Sequence, residues 1–193
     1  DWSSDVCSSD LVRYWDRITH PGQLLSSLPH LIATLLDPSD CGPVFLGLPQ
    51  DVQAQAFEYP DEFFAKTVHR VLRPRADERS LVQAAELIRG AHRPILIAGG
   101  GTRYSRAHQQ LADLAHATGI PVVETVAGKA TLLASDPAWC GPVGVTGCDP
   151  ANKLAEEADL IISIGCRLQD FTTGSWTLFK NPNRKIISIN TAR

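Results

Sequence analysis

Arg93-Pro94-Ile95-Leu96-Ile97-Ala98, followed by Gly99-Gly100-Gly101, is the stretch whose reading decides the fold. Its first six residues make a short apolar run opened by a proline, a residue tolerated at a strand start. The glycines turn the chain. From Tyr104 to Thr118, apolar residues at Ala107, Leu111, Leu114, Ala115 and Ala117 recur near helical period, and Gly119 marks the stop. Ile120-Pro121-Val122-Val123-Glu124 begins a second apolar strand. Strand, glycine turn, helix and strand in this order predict a parallel sheet with helices on its faces, because parallel neighbours need a crossover.

Further along, Asp149-Pro150 opens a short helix over Ala151 to Ala158, read with an N-cap aspartate and proline at the first helical position. Asp159-Leu160-Ile161-Ile162-Ser163-Ile164-Gly165 is a third buried strand and Lys185-Ile186-Ile187-Ser188-Ile189-Asn190 a fourth. The stretch between Ala127 and Gly147 reads as loop, and Cys166 to Phe179 as a polar loop with an aromatic end. Upstream, Asp77 caps a helix whose stripe is Leu81, Ala84, Ala85, Leu87 and Ile88. Earlier still, Pro21 to Leu36 is an amphipathic helix interrupted by Pro29, predicting a kink or a later start. Gly42-Pro43-Val44-Phe45-Leu46-Gly47-Leu48-Pro49 holds a strand. Residues 53 to 76 read as a surface connector. The fold class is therefore α/β, a doubly wound parallel sheet preceded by part of another domain.

At 44% hydrophobic residues the chain can bury a core, and a net charge of −3 argues against a nucleic-acid footprint. No apolar run approaches the roughly 18 residues a membrane helix needs. The five cysteines show no CxxC spacing, which predicts reduced thiols and neither a disulfide framework nor a zinc site. There is no methionine, so a piece of a longer gene product is expected. Residues 1–11, Ser/Asp-rich and aperiodic, resemble translated adapter read-through and are set aside.

The candidate sites follow from the strand ends. Gly99 and Gly101 fill the first two places of a G-x-G-x-x-G phosphate turn, but Tyr104 fills the third, where a side chain is expected to obstruct helix–strand packing. Glu124 stands where a ribose-binding acid would. Two readings are open: a nucleotide turn, or only a tight turn. Lys129 is either an anion contact or a solvated loop lysine. Arg167, Gln169, Asp170, Thr172 and Thr173 follow the third strand, where ligands of open parallel sheets gather. His108 and His116 lie too far apart on one helix to share a metal. No complete nucleophile, acid and base constellation is visible.

The run Gly42 to Val52 resembles the last strand of the pyrimidine-binding domain of thiamine diphosphate enzymes, and Arg93 to Gly101 resembles the first strand and turn of their central, Rossmann-like domain. Gly165-Cys166-Arg167-Leu168-Gln169-Asp170 is similar to the later loop that meets flavin in the acetolactate synthase branch. Tyr14-Trp15-Asp16-Arg17-Ile18, Val126-Ala127-Gly128-Lys129 and the long run Arg167 to Phe179 resemble the ring-opening hydrolases of inositol catabolism. The resemblance implies residues 12–60 as the end of a pyrimidine-binding domain, 61–80 as linker, and 81–193 as a central domain truncated at its C-terminus. It implies a full-length parent that cleaves a carbon–carbon bond of a cyclic diketone, 3D-trihydroxycyclohexane-1,2-dione, to 5-deoxyglucuronate, with thiamine diphosphate as carbanion source and Mg2+ on its diphosphate. A cytoplasmic homodimer or larger homo-oligomer is implied, without nucleic-acid or membrane partners. The fragment alone is expected to be inactive: no catalytic or metal residue maps onto it, and Gly99, Gly101 and Arg167 are expected to mark a disused nucleotide pocket. The rival expectations are an acetolactate synthase-like carboligase and a non-catalytic nucleotide-binding module.

Overall fold

A computed structural model describes residues 11–191; all but the last residue of the stretch set aside as read-through lies outside them. The chain divides into two compact units, one ending at Arg73 and one running from Pro74 to Thr191.

In the first unit, strand β1 (Tyr14–Arg17) pairs in parallel with β2 (Val44–Gly47), Tyr14 opposite Val44. Helix α1 (Leu24–Leu36) joins them and runs on through Pro29, which is exposed. Neither a late start nor a break is needed, because proline removes only one backbone bond and its ring can face water. The Asp16 carboxylate ties strand to helix. It accepts from the buried Ser27 hydroxyl at 2.5 Å, from Gln23 Nε2 at 3.0 Å and from the Arg17 amide at 2.8 Å. The Ser27 bond above all holds this carboxyl below its ordinary range. A four-residue helix α2 (Gln50–Gln53) follows Pro49. The next stretch, expected to be a plain connector, instead folds back: Tyr59 donates its hydroxyl to Pro21 O at 2.8 Å and stacks on Phe63 at 5.1 Å.

In the second unit, Asp77 accepts from the Ser80 amide and opens helix α3 (Glu78–Gly90). Five strands then form one parallel sheet: β3 (Pro94–Ala98), β4 (Val122–Glu124), β5 (Trp139–Pro142), β6 (Leu160–Ile164) and β7 (Lys185–Ile189). Their spatial order is β5-β4-β3-β6-β7. The chain starts at the centre, builds outward through β4 and β5, then returns to the other side of β3. Helix α4 (Gly100–Tyr104) and helix α5 (His108–Thr118) follow β3, helix α6 (Asp149–Glu157) precedes β6, and a short helix α7 (Asp170–Thr173) follows it.

Strand alternation sends side chains to two cores. Leu96, Ala98, Val122, Leu160 and Ile162 pack with Leu111, Ala112 and Ala115 of α5 and with Leu87 and Ile88 of α3. Ile95, Ile97, Val123 and Ile161 pack with Ala151 and Ala155 of α6 and with Phe179. Helices on both faces make this a doubly wound α/β sheet. Ile95, Leu96, Ile97, Leu160, Ile161 and Ile162 are at most 2% exposed, and each stabilises the fold by about 1.5–3 kcal/mol.

In the second unit the structure also departs from the sequence reading: helix α7 falls in the stretch read as a polar loop. Strand β5 lies inside the stretch read as loop. The helix read over Tyr104 to Thr118 starts only at His108, and the glycines read as a turn open a separate short helix, α4, at whose end residues 103–106 are exposed. Helix α6 starts with Asp149 itself, with Cys148 in the cap position.

Candidate functional site

In a sheet of this order the neighbours β3 and β6 lead away in opposite directions, and the crevice beyond their carboxyl ends is the natural ligand position. A cleft of about 490 Å³ lies there. Gly99, Gly101 and Arg167 all line it, joined by Thr125, Val126, Cys166 and Phe171. The structure thus brings the three sequence-derived positions together. A larger hollow of about 640 Å³ sits at the amino ends of β3 and β4, around Arg93, Pro94 and Pro121. Strand polarity favours the smaller cleft, since the strand-end loops converge on that side.

The glycines of this cleft are there for close approach. A Cβ on Gly99 would stand 2.2 Å from Gly165 O, and one on Gly101 would stand 2.7 Å from Gly165 Cα. Gly165 itself has φ +58°, and a Cβ there would fall 2.4 Å from the Thr102 amide nitrogen. The turns after β3 and β6 are pressed backbone to backbone.

That contact consumes the donors an anion would use. Gly101 donates its N–H to Gly165 O at 2.9 Å and Gly99 donates to Ile164 O at 2.8 Å. Thr102, buried though it went unnoticed in the sequence, donates its hydroxyl to Ile164 O at 2.9 Å. Two of the three glycine amides are therefore spent on the end of β6 and the turn that follows it. Tyr104 obstructs nothing. It ends α4 and is 56% exposed, because the helix break turns the third fingerprint position outward.

Glu124 does not face a ribose. It is buried, and its carboxylate accepts the amides of Ala130 at 3.2 Å and Leu132 at 2.9 Å, fastening the loop after β4. Lys129 offers its carbonyl to Arg103 Nη1 at 2.9 Å. Cys166 is buried, with its sulfur accepting the Leu168 amide at 3.3 Å and its carbonyl accepting Asn190 Nδ2 at 2.7 Å. Arg167 is exposed, as is Gln169, and both line the cleft. His116 pairs with Asp136 Oδ1 at 2.9 Å and shares nothing with His108.

Among the described residues no group of three or more His, Cys, Asp or Glu side chains could hold a metal ion, and no helix is long and apolar enough to cross a membrane. Among the described residues the free thiols are Cys41, Cys140, Cys148 and Cys166, and Cys7 lies outside them.

Residues 81–193 match the family described as thiamine pyrophosphate enzyme, central domain. Among curated proteins, a 3D-(3,5/4)-trihydroxycyclohexane-1,2-dione hydrolase of Clostridium perfringens is 45% identical over 181 residues, covering 94% of this chain and 28% of the relative. Proteins of the same name from Shouchella clausii and Bacillus subtilis are 44% and 42% identical over 197 residues, covering all of this chain and 31% of each relative. The chain thus spans about 28 to 31% of the length of the curated relatives it matches.

Proposed function

The chain belongs to the thiamine pyrophosphate enzymes through their central domain, and on that premise we propose that it is part of a hydrolase opening the ring of a trihydroxycyclohexane-1,2-dione. The observation that carries the reading is the 45% identity over 181 residues, which runs through both compact units instead of stopping at the central domain. The chemistry would be carbon–carbon bond cleavage to 5-deoxyglucuronate, with thiamine diphosphate supplying the carbanion equivalent. We place Mg2+ on the diphosphate, the active unit in a homodimer or larger homo-oligomer, and the enzyme in the cytoplasm.

The residues present do not fit a thiamine site. There is no Gly-Asp-Gly sequence, and the described residues offer no metal-ligating cluster. No step of the reaction is assigned to this chain. Its proposed contribution is architectural. Residues 12–60 would end a pyrimidine-binding domain, 61–80 would link, and 81–193 would be the central domain that spaces the cofactor-holding lobes.

We read the cleft at Gly99, Gly101 and Arg167 as a nucleotide crevice whose phosphate seat is closed. What supports this is the Gly165 carbonyl, which accepts the Gly101 amide at 2.9 Å and so occupies a donor that a phosphate oxygen would use.

The test is an assay of the full-length protein that contains this chain. With thiamine diphosphate and Mg2+, it should convert the cyclic dione to 5-deoxyglucuronate and leave pyruvate untouched. Pyruvate consumption with no dione turnover would overturn the reading in favour of a carboligase. Calorimetry with ADP or NAD addresses the closed seat separately: saturable heat that vanishes in Arg167→Ala would reopen it.

A further inference from the structure

A third hollow, of about 390 Å³, shares no lining residue with the cleft and lies between the α4–α5 junction and the loop after β4. Arg103, Arg106 and His108 line one wall, and Ala130, Thr131, Leu132 and Leu133 the other. No carboxylate lines it. Among the described residues, the ion pairs of the second unit are Arg93–Glu157, His116–Asp136 and Lys180–Glu156, so neither guanidinium is neutralised. The Glu124 carboxylate, which anchors this loop, is buried and occupied by the Ala130 and Leu132 amides. In a chain of net charge −3, this is a local concentration of positive charge and not a general basicity.

The walls are held in place. Arg103 Nη1 reaches across to Lys129 O at 2.9 Å, Thr131 donates its hydroxyl to Gly128 O at 2.5 Å, and Gly128 donates to Thr125 O at 3.0 Å. One residue on each wall, Arg106 at φ +56° and Ala130 at φ +64°, occupies the left-handed region that costs a side-chain-bearing residue about 1 kcal/mol or more. Strain of this kind persists where the surroundings over-determine it and clusters at ligand sites.

We propose that this hollow binds a small molecule carrying a phosphate or diphosphate group, its oxygens on the Arg103 and Arg106 guanidiniums. Guanidinium forks match phosphoryl oxygens two at a time, and the exposed Leu133 side chain offers an apolar flank for the remainder of the ligand.

Calorimetric titration of the full chain with sodium pyrophosphate at constant ionic strength tests it, with inorganic phosphate as the second arm. Saturable binding of pyrophosphate in about the millimolar range or tighter is expected, with phosphate weaker. Arg106→Gln should weaken it at least about tenfold while leaving the urea unfolding midpoint unchanged. Arg103→Gln should weaken it too. If that variant loosens the loop by losing its bond to Lys129 O, Arg106→Gln alone decides. Arg167→Ala should bind as the parent does. No saturation, retention in Arg106→Gln, or loss in Arg167→Ala each overturns the proposal.

Discussion

Replacing Gly165 by alanine should cost far more than replacing Gly119 by alanine, although both glycines have positive φ. Gly119 closes α5 at φ +70°, and a Cβ there would meet nothing within 4 Å. Its substitution carries only the left-handed penalty, about 1 kcal/mol. Gly165 carries the same penalty at φ +58° and, in addition, puts a methyl group 2.4 Å from Thr102 N and 2.6 Å from Gly101 Cα. Those neighbours are backbone, so no side chain can swing away. Overpacking of this kind adds about 1–3 kcal/mol. Parting the two turns also strains the Gly101–Gly165 and Gly99–Ile164 hydrogen bonds, worth about 1 kcal/mol each. The expected total is about 3–5 kcal/mol, a large part of the 5–15 kcal/mol (about) that keeps a domain folded. Urea unfolding followed by circular dichroism should show the Gly165→Ala midpoint lowered by about 1–3 M and that of Gly119→Ala by well under about 1 M. Equal losses for the two variants, within about 0.5 kcal/mol, would refute the interlocking of the turns.

Glu124→Gln keeps the shape but offers one acceptor where two amides ask for one, so the loop after β4 should lose about 1–3 kcal/mol of local stability. Faster hydrogen exchange at Ala130 and Leu132 would register it. Asp159 accepts the amides of His92 at 2.7 Å and Arg93 at 2.9 Å. Burial opposes its ionisation, yet those two amides outweigh burial and hold its carboxyl below the ordinary range. A carboxyl lowered on folding contributes stability that is full above its unfolded value, about 3.9, and is lost as pH falls through the folded one. Asp159→Asn should therefore flatten the acid limb of the second unit's stability against pH. The same sign holds for Asp16 in the first unit, where Ser27→Ala should raise the carboxyl's titration midpoint, measurable by NMR. Asp77→Ala should fray the start of α3, seen as lost helical dichroism and faster exchange at Ser80.

Five strands were legible because Val44–Gly47, Ile95–Ala98, Val122–Glu124, Leu160–Ile164 and Lys185–Ile189 are apolar runs of strand length bounded by turn residues. Trp139-Cys140-Gly141-Pro142 was not. A glycine at φ +99° and a proline hide a four-residue strand whose pairing with β4 is itself irregular. Tyr14–Arg17 escaped as well, since its alternating half-buried and exposed residues include two charges. At the site, Gly99, Gly101 and Arg167 could be placed by strand polarity alone. Glu124 and Thr102 were misjudged or missed because their partners, the Ala130 and Leu132 amides and Ile164 O, are distant along the chain or belong to backbone. Which of two turns uses a given amide is decided by tertiary packing, and residue types do not record it.

A doubly wound sheet has a seam where the chain changes its direction of travel, and a guest molecule usually bridges that seam. Here the protein bridges it itself, carbonyl to amide, across Gly165 and Gly101. The two halves of the sheet are thereby joined at their centre by backbone alone. If the closed-seat reading proposed above holds, this joint would keep its dimensions whether or not a nucleotide is present.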